Sequence, residues 1–216
     1  MERVLCLAIG YICGLFQTGY LYGKLNGIDI RQYGSGNSGT TNALRVMGKK
    51  AGLIVFLGDV AKVIVAMLAA HWILLGETPL HQGPSLLWML YAGFGAVLGH
   101  NYPFYLHFQG GKGIAVTAGV VLMLDWRITL ACLAAFVLVV LITRYVSVGS
   151  LTVVTLFFLL WVLLGQTGNL SLSPELLPES YIVVFLWAAL AFWRHRSNLV
   201  RLRQGTENKF GSKKKE

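Results

Sequence analysis

Long apolar runs dominate the chain, at roughly 4–22, 52–75, 85–106, 113–125, 127–143, 147–165 and 180–194. A helix that crosses a bilayer needs about 20 residues at ~1.5 Å each, since all its backbone polar groups must be satisfied within the segment. The first, second, third and sixth runs meet that length. The fourth, about a dozen residues, is short enough for a re-entrant segment; the fifth and seventh are slightly short but rich in Leu, Val, Ala and Trp. The composition agrees with a lipid solvent, because 56% of the 216 residues are hydrophobic and 12% are charged, against about 25% charged in soluble domains. The sequence thus predicts an all-α integral membrane protein of about seven transmembrane helices. One polytopic domain is expected over residues 1–210, followed by a basic tail at 211–216.

Lysine and arginine set the orientation. Lys24, Arg31, Arg45, Lys49, Lys50, Lys112, Arg144 and eight cations between Arg194 and Lys215 fall in one set of loops, 15 of the 18. The opposite loops hold Arg3 and Arg127, with Glu77, Asp125, Glu175 and Glu179. The N-terminus is therefore expected outside and the C-terminus in the cytoplasm, whether or not the fourth and fifth runs form a re-entrant pair. A net charge of +9 confined to one face needs no nucleic acid to explain it. The first run lacks a small-x-small cleavage site and is retained as a span. Cys6, Cys13 and Cys132 lie in apolar runs without a C-x-x-C pattern, so neither a disulfide framework nor a metal site is expected.

Three polar clusters fall on the basic side. The first is Gly34-Ser35-Gly36-Asn37-Ser38-Gly39-Thr40-Thr41-Asn42, followed by Arg45. Glycine and serine alone fit a flexible loop ahead of a capped helix. Nine polar or glycine residues in a row within so apolar a chain point instead to backbone amides aimed at an anion. Thr41 or Asn42 is expected to cap the following helix, with Arg45 adding a bidentate grip. The second cluster is Gly99-His100-Asn101-Tyr102-Pro103 and then Phe108-Gln109-Gly110-Gly111-Lys112-Gly113. It is not a nucleotide P-loop, because Leu106 occupies the place of the first glycine and Gly113 that of the magnesium-binding hydroxyl. Phosphate binding by the glycines and Lys112 remains, with His100 as a satisfied helix-end histidine.

The third cluster closes the last run: Arg194-His195-Arg196-Ser197-Asn198, then Arg201, Gly205 and Glu207. On a continued helix His195, Asn198 and Arg201 share one face. A basic stop-transfer flank accounts for the arginines, but not for His195 and Asn198 together. Thr143-Arg144-Tyr145 brings a hydroxyl and a guanidinium to the same surface. Asp59 and Lys62, at i and i+3 within the second run, are expected to pair internally and position the first cluster.

In this order and on one side, the clusters resemble the bacterial acyl-phosphate:glycerol-3-phosphate acyltransferase family (PlsY), over nearly the whole chain. Thr40 departs from the family's usual alanine. The resemblance implies transfer of a fatty acyl group from acyl phosphate to the 1-hydroxyl of sn-glycerol 3-phosphate, giving lysophosphatidic acid and phosphate without a cofactor or metal. It further implies catalytic roles for Ser35, His195 and Asn198. Substrate phosphate would be bound by Gly36, Asn37, Arg45, Gly110, Gly111, Lys112, Gly113, Thr143 and Arg144. Glu207, like Asp59 and Lys62, would be structural. A monomer in the bacterial inner membrane is expected, with its active site at the cytoplasmic face.

The chemistry is consistent, because an acyl phosphate is an activated anhydride whose leaving group needs charge stabilisation more than protonation. Either His195 or the substrate's own phosphate can then take the hydroxyl proton. No histidine is followed five residues later by aspartate, so the His-x-x-x-x-Asp chemistry of acyl-CoA enzymes has no candidate pair. The alternatives are a membrane transporter of organic phosphates, which calls for polar residues along a mid-membrane path, and a CDP-alcohol phosphotransferase, which calls for an aspartate cluster.

Overall fold

The computed structural model of the chain describes residues 1–211, so the basic tail, apart from Gly211, lies outside the described residues. The first apolar run is divided into α1 (Glu2–Gly14) and α2 (Thr18–Leu25) rather than continuing as one helix. The break falls at Gln17, whose φ/ψ of −94/82° is not helical. α3 (Thr40–Leu75) starts well before its apolar run, and Gly48 (φ 87, ψ −177) kinks it, setting the first two turns apart from the spanning part. α4 (Ser85–Asn101) ends earlier than the 85–106 run, because Pro103 disfavours a helical conformation at Tyr102. Residues Phe104–Leu106 form a 3-10 turn. α5 (Ile114–Leu124), α6 (Trp126–Thr143), α7 (Val146–Gln166), α8 (Leu177–Arg194) and the short α9 (Arg196–Arg203) complete the described chain.

Among the described residues, five helical segments, at 2–25, 40–75, 126–143, 146–166 and 174–194, are long and apolar enough to cross a membrane. α5 has 11 residues, only about 16 Å at ~1.5 Å per residue. It nevertheless does not turn back: His81 Nε2 bonds to Met123 O at 2.8 Å, beside the loop that joins α3 to α4. Asp125 then starts α6 as its N-cap, accepting the N–H groups of Arg127 and Ile128.

α4 is the central helix, buried along nearly its whole length. Its closest neighbour is α1, and the contact depends on glycine. A Cβ on Gly10 or Gly14 would overlap the carbonyls of Ala92 and Ala96, and one on Gly95 or Gly99 those of Leu7 and Tyr11. In lipid, where hydrophobic burial gives no drive between helices, such close backbone approach supplies the van der Waals contact that holds them. Elsewhere in the core, Phe157 packs edge-on against Trp161 and Trp187. The two indoles donate to Ser180 Oγ and Thr117 Oγ1, each at 3.0 Å, so neither of these ring N–H groups is stranded. On α6 only Ile128 and Cys132 are buried, and the helix packs chiefly on α7.

The charge division read from the loops is a division between two ends of the bundle. At one end Arg3 forms a bidentate pair with Glu179 (Nη2–Oε2 2.6 Å), which also accepts from Tyr91 at 2.7 Å, while Arg127 donates to Asn169 O at 2.7 Å. At the other end all three polar clusters come together.

Candidate active site

The first cluster is organised by Asn42. The N-cap of α3 is Gly39, with no side-chain cap, so neither Thr41 nor Asn42 serves as one. Asn42 is instead buried one turn in and faces back along the loop. Its Oδ1 accepts the Ser35 N–H at 2.9 Å, and its Nδ2 reaches the carbonyls of Ile30, Tyr33 and Asn37 at 3.2, 3.0 and 2.9 Å. Gly34 (φ 62) is required here, since a Cβ would overlap Asn42 Oδ1. The Gly36 N–H is used within the loop, on Tyr33 O at 3.0 Å. The Ser35 hydroxyl and the Arg45 guanidinium have no protein partner among the described residues, and both residues line a cavity. Asn37 lines it too, and its Nδ2 donates to Gly110 O at 3.2 Å, joining the first cluster to the second.

Gly110 and Gly111 were expected to offer amides to phosphate; the structure commits those amides elsewhere. The Gly110 N–H donates to Asn101 O at 3.2 Å and the Gly111 N–H to His100 O at 3.0 Å. Their lack of side chains lets the loop dock on the end of α4, where a Cβ would overlap His100 O and the His100 ring respectively. The available donors lie just beyond. Gly113 (φ 79) is the N-cap of α5, and Ile114 and Ala115, whose first-turn N–H groups have no intrahelical acceptor, line the cavity with it. A helix N-terminus beside a lysine favours an anion. Arg194, read from sequence as a stop-transfer flank, holds this loop from behind. Its Nη2 donates to Gly110 O and Gly111 O at 3.2 and 2.7 Å, and its guanidinium lies 4.9 Å from the Tyr102 ring centroid. The one sequence signal was its place directly before His195, at the very end of an apolar run.

The third cluster meets the second through Lys112, whose ammonium donates to Asn198 Oδ1. Asn198 Nδ2 donates to Glu207 Oε1 at 2.6 Å, and the same carboxylate accepts from Ser147 Oγ at 3.0 Å and Arg201 Nε at 2.7 Å. Burial opposes the charge on Glu207, but these hydrogen bonds hold its pKa below the ordinary carboxylate value. Burial, opposed by Glu207 and aided by Arg201, Arg194 and Arg45, lowers the Lys112 ammonium to about 8. His195 is buried, and its Nδ1 bonds to Ala191 O at 2.8 Å, which places the proton on Nδ1 and leaves Nε2 as an acceptor. Burial and the neighbouring Lys112 lower its pKa to about 4.

Thr143 and Arg144, expected among the phosphate ligands, are not brought to the cavity. The Thr143 hydroxyl donates to Val139 O at 2.7 Å and accepts the Tyr145 N–H at 3.1 Å. Arg144 pairs with Phe210 through both backbone and side chain, at 2.6 and 3.1 Å. That pairing anchors the segment carrying Glu207 and Asn208, which form part of the cavity wall. Asp59 and Lys62 do pair, at 2.8 Å. Lys62 Nζ also reaches Phe16 O and His100 Nδ1, each at 2.8 Å, so the pair ties α3 to the α1–α2 break and to α4.

The cavity has a volume of about 590 Å³ and is lined by Ser35, Arg45, Lys112, His195 and Asn198 at its polar end. Its other end is apolar. There Leu57, Leu122 and Leu133 line it, each more than half exposed. Among the described residues, no group of three His, Cys, Asp or Glu side chains is placed to hold a metal ion.

A family model described as glycerol-3-phosphate acyltransferase matches residues 4–205. The glycerol-3-phosphate acyltransferase of Thermoanaerobacter sp. (strain X514) is 40% identical over 214 residues, covering 99% of this chain and 98% of that one. That of Prochlorococcus marinus (strain NATL1A) is 39% identical over 210 residues, covering 97% and 98%. Two crystal structures of PlsY, an integral membrane glycerol 3-phosphate acyltransferase, superimpose with TM-scores of 0.80 for its glycerol 3-phosphate form and 0.78 for its lysophosphatidic acid form. Each is 31% identical and covers 98% of this chain and 96% of its own.

Proposed function

Because the chain belongs to the glycerol-3-phosphate acyltransferase family, we propose that its cavity transfers a fatty acyl group from acyl phosphate to the 1-hydroxyl of sn-glycerol 3-phosphate. The hydroxyl oxygen bonds to the acyl carbon, the bond from that carbon to the phosphate oxygen breaks, and lysophosphatidic acid and inorganic phosphate leave. The observation that carries this is the two-ended cavity, in which cations and a helix N-terminus at one end continue into an apolar wall of exposed leucines. The polar end suits two phosphates, and the apolar end suits a fatty chain that never leaves the bilayer.

In this reading Lys112 and the first-turn amides of α5 hold one phosphate, and Ser35 and Arg45 hold the other. Gly110 and Gly111 shape the site rather than binding directly. The leaving phosphate is an anion, so fixed positive charge lowers the barrier without an acid. His195 carries the tautomer of a base, but a pKa of about 4 makes it a weak one. The acceptor's own phosphate, with a second pKa near 6 as for other phosphate monoesters, is the stronger proton acceptor. His195 Nε2 and Asn198 then orient the hydroxyl. The excess of basic loops at this end supports a cytoplasmic site in the bacterial inner membrane. The test is an assay of purified protein with acyl phosphate and glycerol 3-phosphate, without magnesium or coenzyme A. Lysophosphatidate formation is the expected result; none from folded protein overturns the reading.

A further inference from the structure

We propose that Gln17 is a positioning residue for acyl transfer, its side-chain amide setting the spacing between the two loops that hold the two substrates. The inference rests on the reaction proposed above. Gln17 sits at the break between α1 and α2 and is 1% exposed. Its Nε2 donates to His100 O at 3.0 Å, with Gly14 O and Gly99 O at 3.3 and 3.4 Å, and its Oε1 accepts the Ser38 hydroxyl at 3.1 Å.

One end of that link lands on the first cluster and the other where the second loop docks on α4. His100 O also receives the Gly111 N–H, so Gln17 grips the point where the Gly110-Gly111-Lys112-Gly113 loop docks on α4. Ser38 follows Asn37, whose side chain crosses to Gly110 O. The first cluster is pressed onto the same junction, because a Cβ on Gly19 would overlap Ser38 O. The two loops therefore meet at Asn37–Gly110 and, one residue away on each strand of the contact, through Gln17.

Breaking a helix within a span exposes backbone carbonyls that lipid cannot satisfy. A glutamine serving only that need would bond to Gly14 O, which frays at the break. Gln17 instead makes its shorter contacts to His100 O, on which the second loop docks, and to Ser38 in the first. Neither loop needs the link to hold its own phosphate. Transfer between two bound substrates does, because attack requires the hydroxyl oxygen and acyl carbon at about 3–3.5 Å, and displacement by about 1 Å costs up to about a hundredfold.

The test compares Gln17→Met, which keeps volume and removes every hydrogen bond, with Ser38→Ala and the double variant. Glycerol 3-phosphate binding is measured by calorimetry on the purified full chain, and kcat and the KM for acyl phosphate in the assay above. The expected result is a kcat lowered about tenfold or more by Gln17→Met, with binding of glycerol 3-phosphate and the KM within about threefold of wild type. Ser38→Ala should lower kcat in the same direction, and the double variant should be no slower than Gln17→Met alone, since one link is being cut twice. An unchanged kcat overturns the proposal, as does a loss of binding in step with kcat or an additive double variant. Should Gln17→Met fail to insert, Ser38→Ala carries the same kcat-against-binding expectation. Turnover by the wild type in the same assay tests the underlying reaction separately.

Discussion

The Lys112 ammonium and the Asn198 carboxamide oxygen share a hydrogen bond that joins the loop before α5 to the first turn of α9. Asn198 keeps that orientation because its own amide donates to Glu207 Oε1. The amide has its acceptor on the cation and its donor on the anion, so it cannot flip without losing both.

Lys112→Ala should lower kcat/KM by about 10²–10³-fold, the scale seen when one preorganised stabilising group is removed from a developing anion. The protein should still insert normally. Lys112→Arg should recover part of the loss, because charge returns without the compact ammonium geometry. Near-wild-type kinetics for Lys112→Ala would remove lysine from the phosphate site.

The pH profile follows from the same group. With its pKa lowered to about 8, Lys112 is a cation below that pH and is neutral above it. In free enzyme kcat/KM should therefore fall with one proton as pH rises through about 8. Glu207 opposes this lowering, so Glu207→Gln should move the alkaline limb to lower pH. A limb that does not move would show that the Glu207 charge has no bearing on Lys112.

His195, its pKa lowered to about 4 by burial and Lys112, is not the expected source of an acidic limb near pH 6. Such a limb is expected from the second ionisation of glycerol 3-phosphate. His195→Gln should lower kcat while leaving that limb in place. A limb that disappears in His195→Gln would identify histidine as the base.

The buried pair of Asp59 and Lys62 predicts an asymmetry in stability. Lys62→Met leaves the Asp59 carboxylate buried without its counter-ion and should cost about 3–5 kcal/mol, read as a lowered unfolding temperature in detergent. Lys62→Met combined with Asp59→Asn should regain most of that loss. A double variant as unstable as Lys62→Met would mean that the contacts of Lys62 to Phe16 O and His100 matter more than the charge pair.

Apolar runs, the one-sided distribution of cations and the glycine-rich loops are local properties of the chain. They were enough to predict helices near 52–75, 127–143 and 147–165 and to single out Arg45, Lys112, His195 and Asn198; the family resemblance added Ser35, and the structure brings all five to one cavity. Hydrogen-bond partners are not local, and there the tertiary structure decided. It used the Gly110 and Gly111 amides to dock on α4, leaving those at the start of α5, which lines the cavity, uncommitted. It also turned Asn42 from a cap into the organiser of a loop. Thr143 and Arg144 have the right chemistry for phosphate, but a turn and the segment ending at Phe210 claim them. Arg194 appeared in sequence as a basic flank, and Gln17 gave no signal there. Their roles depend on which carbonyls stand opposite, and only the packing of α1, α4 and α8 against one another sets that.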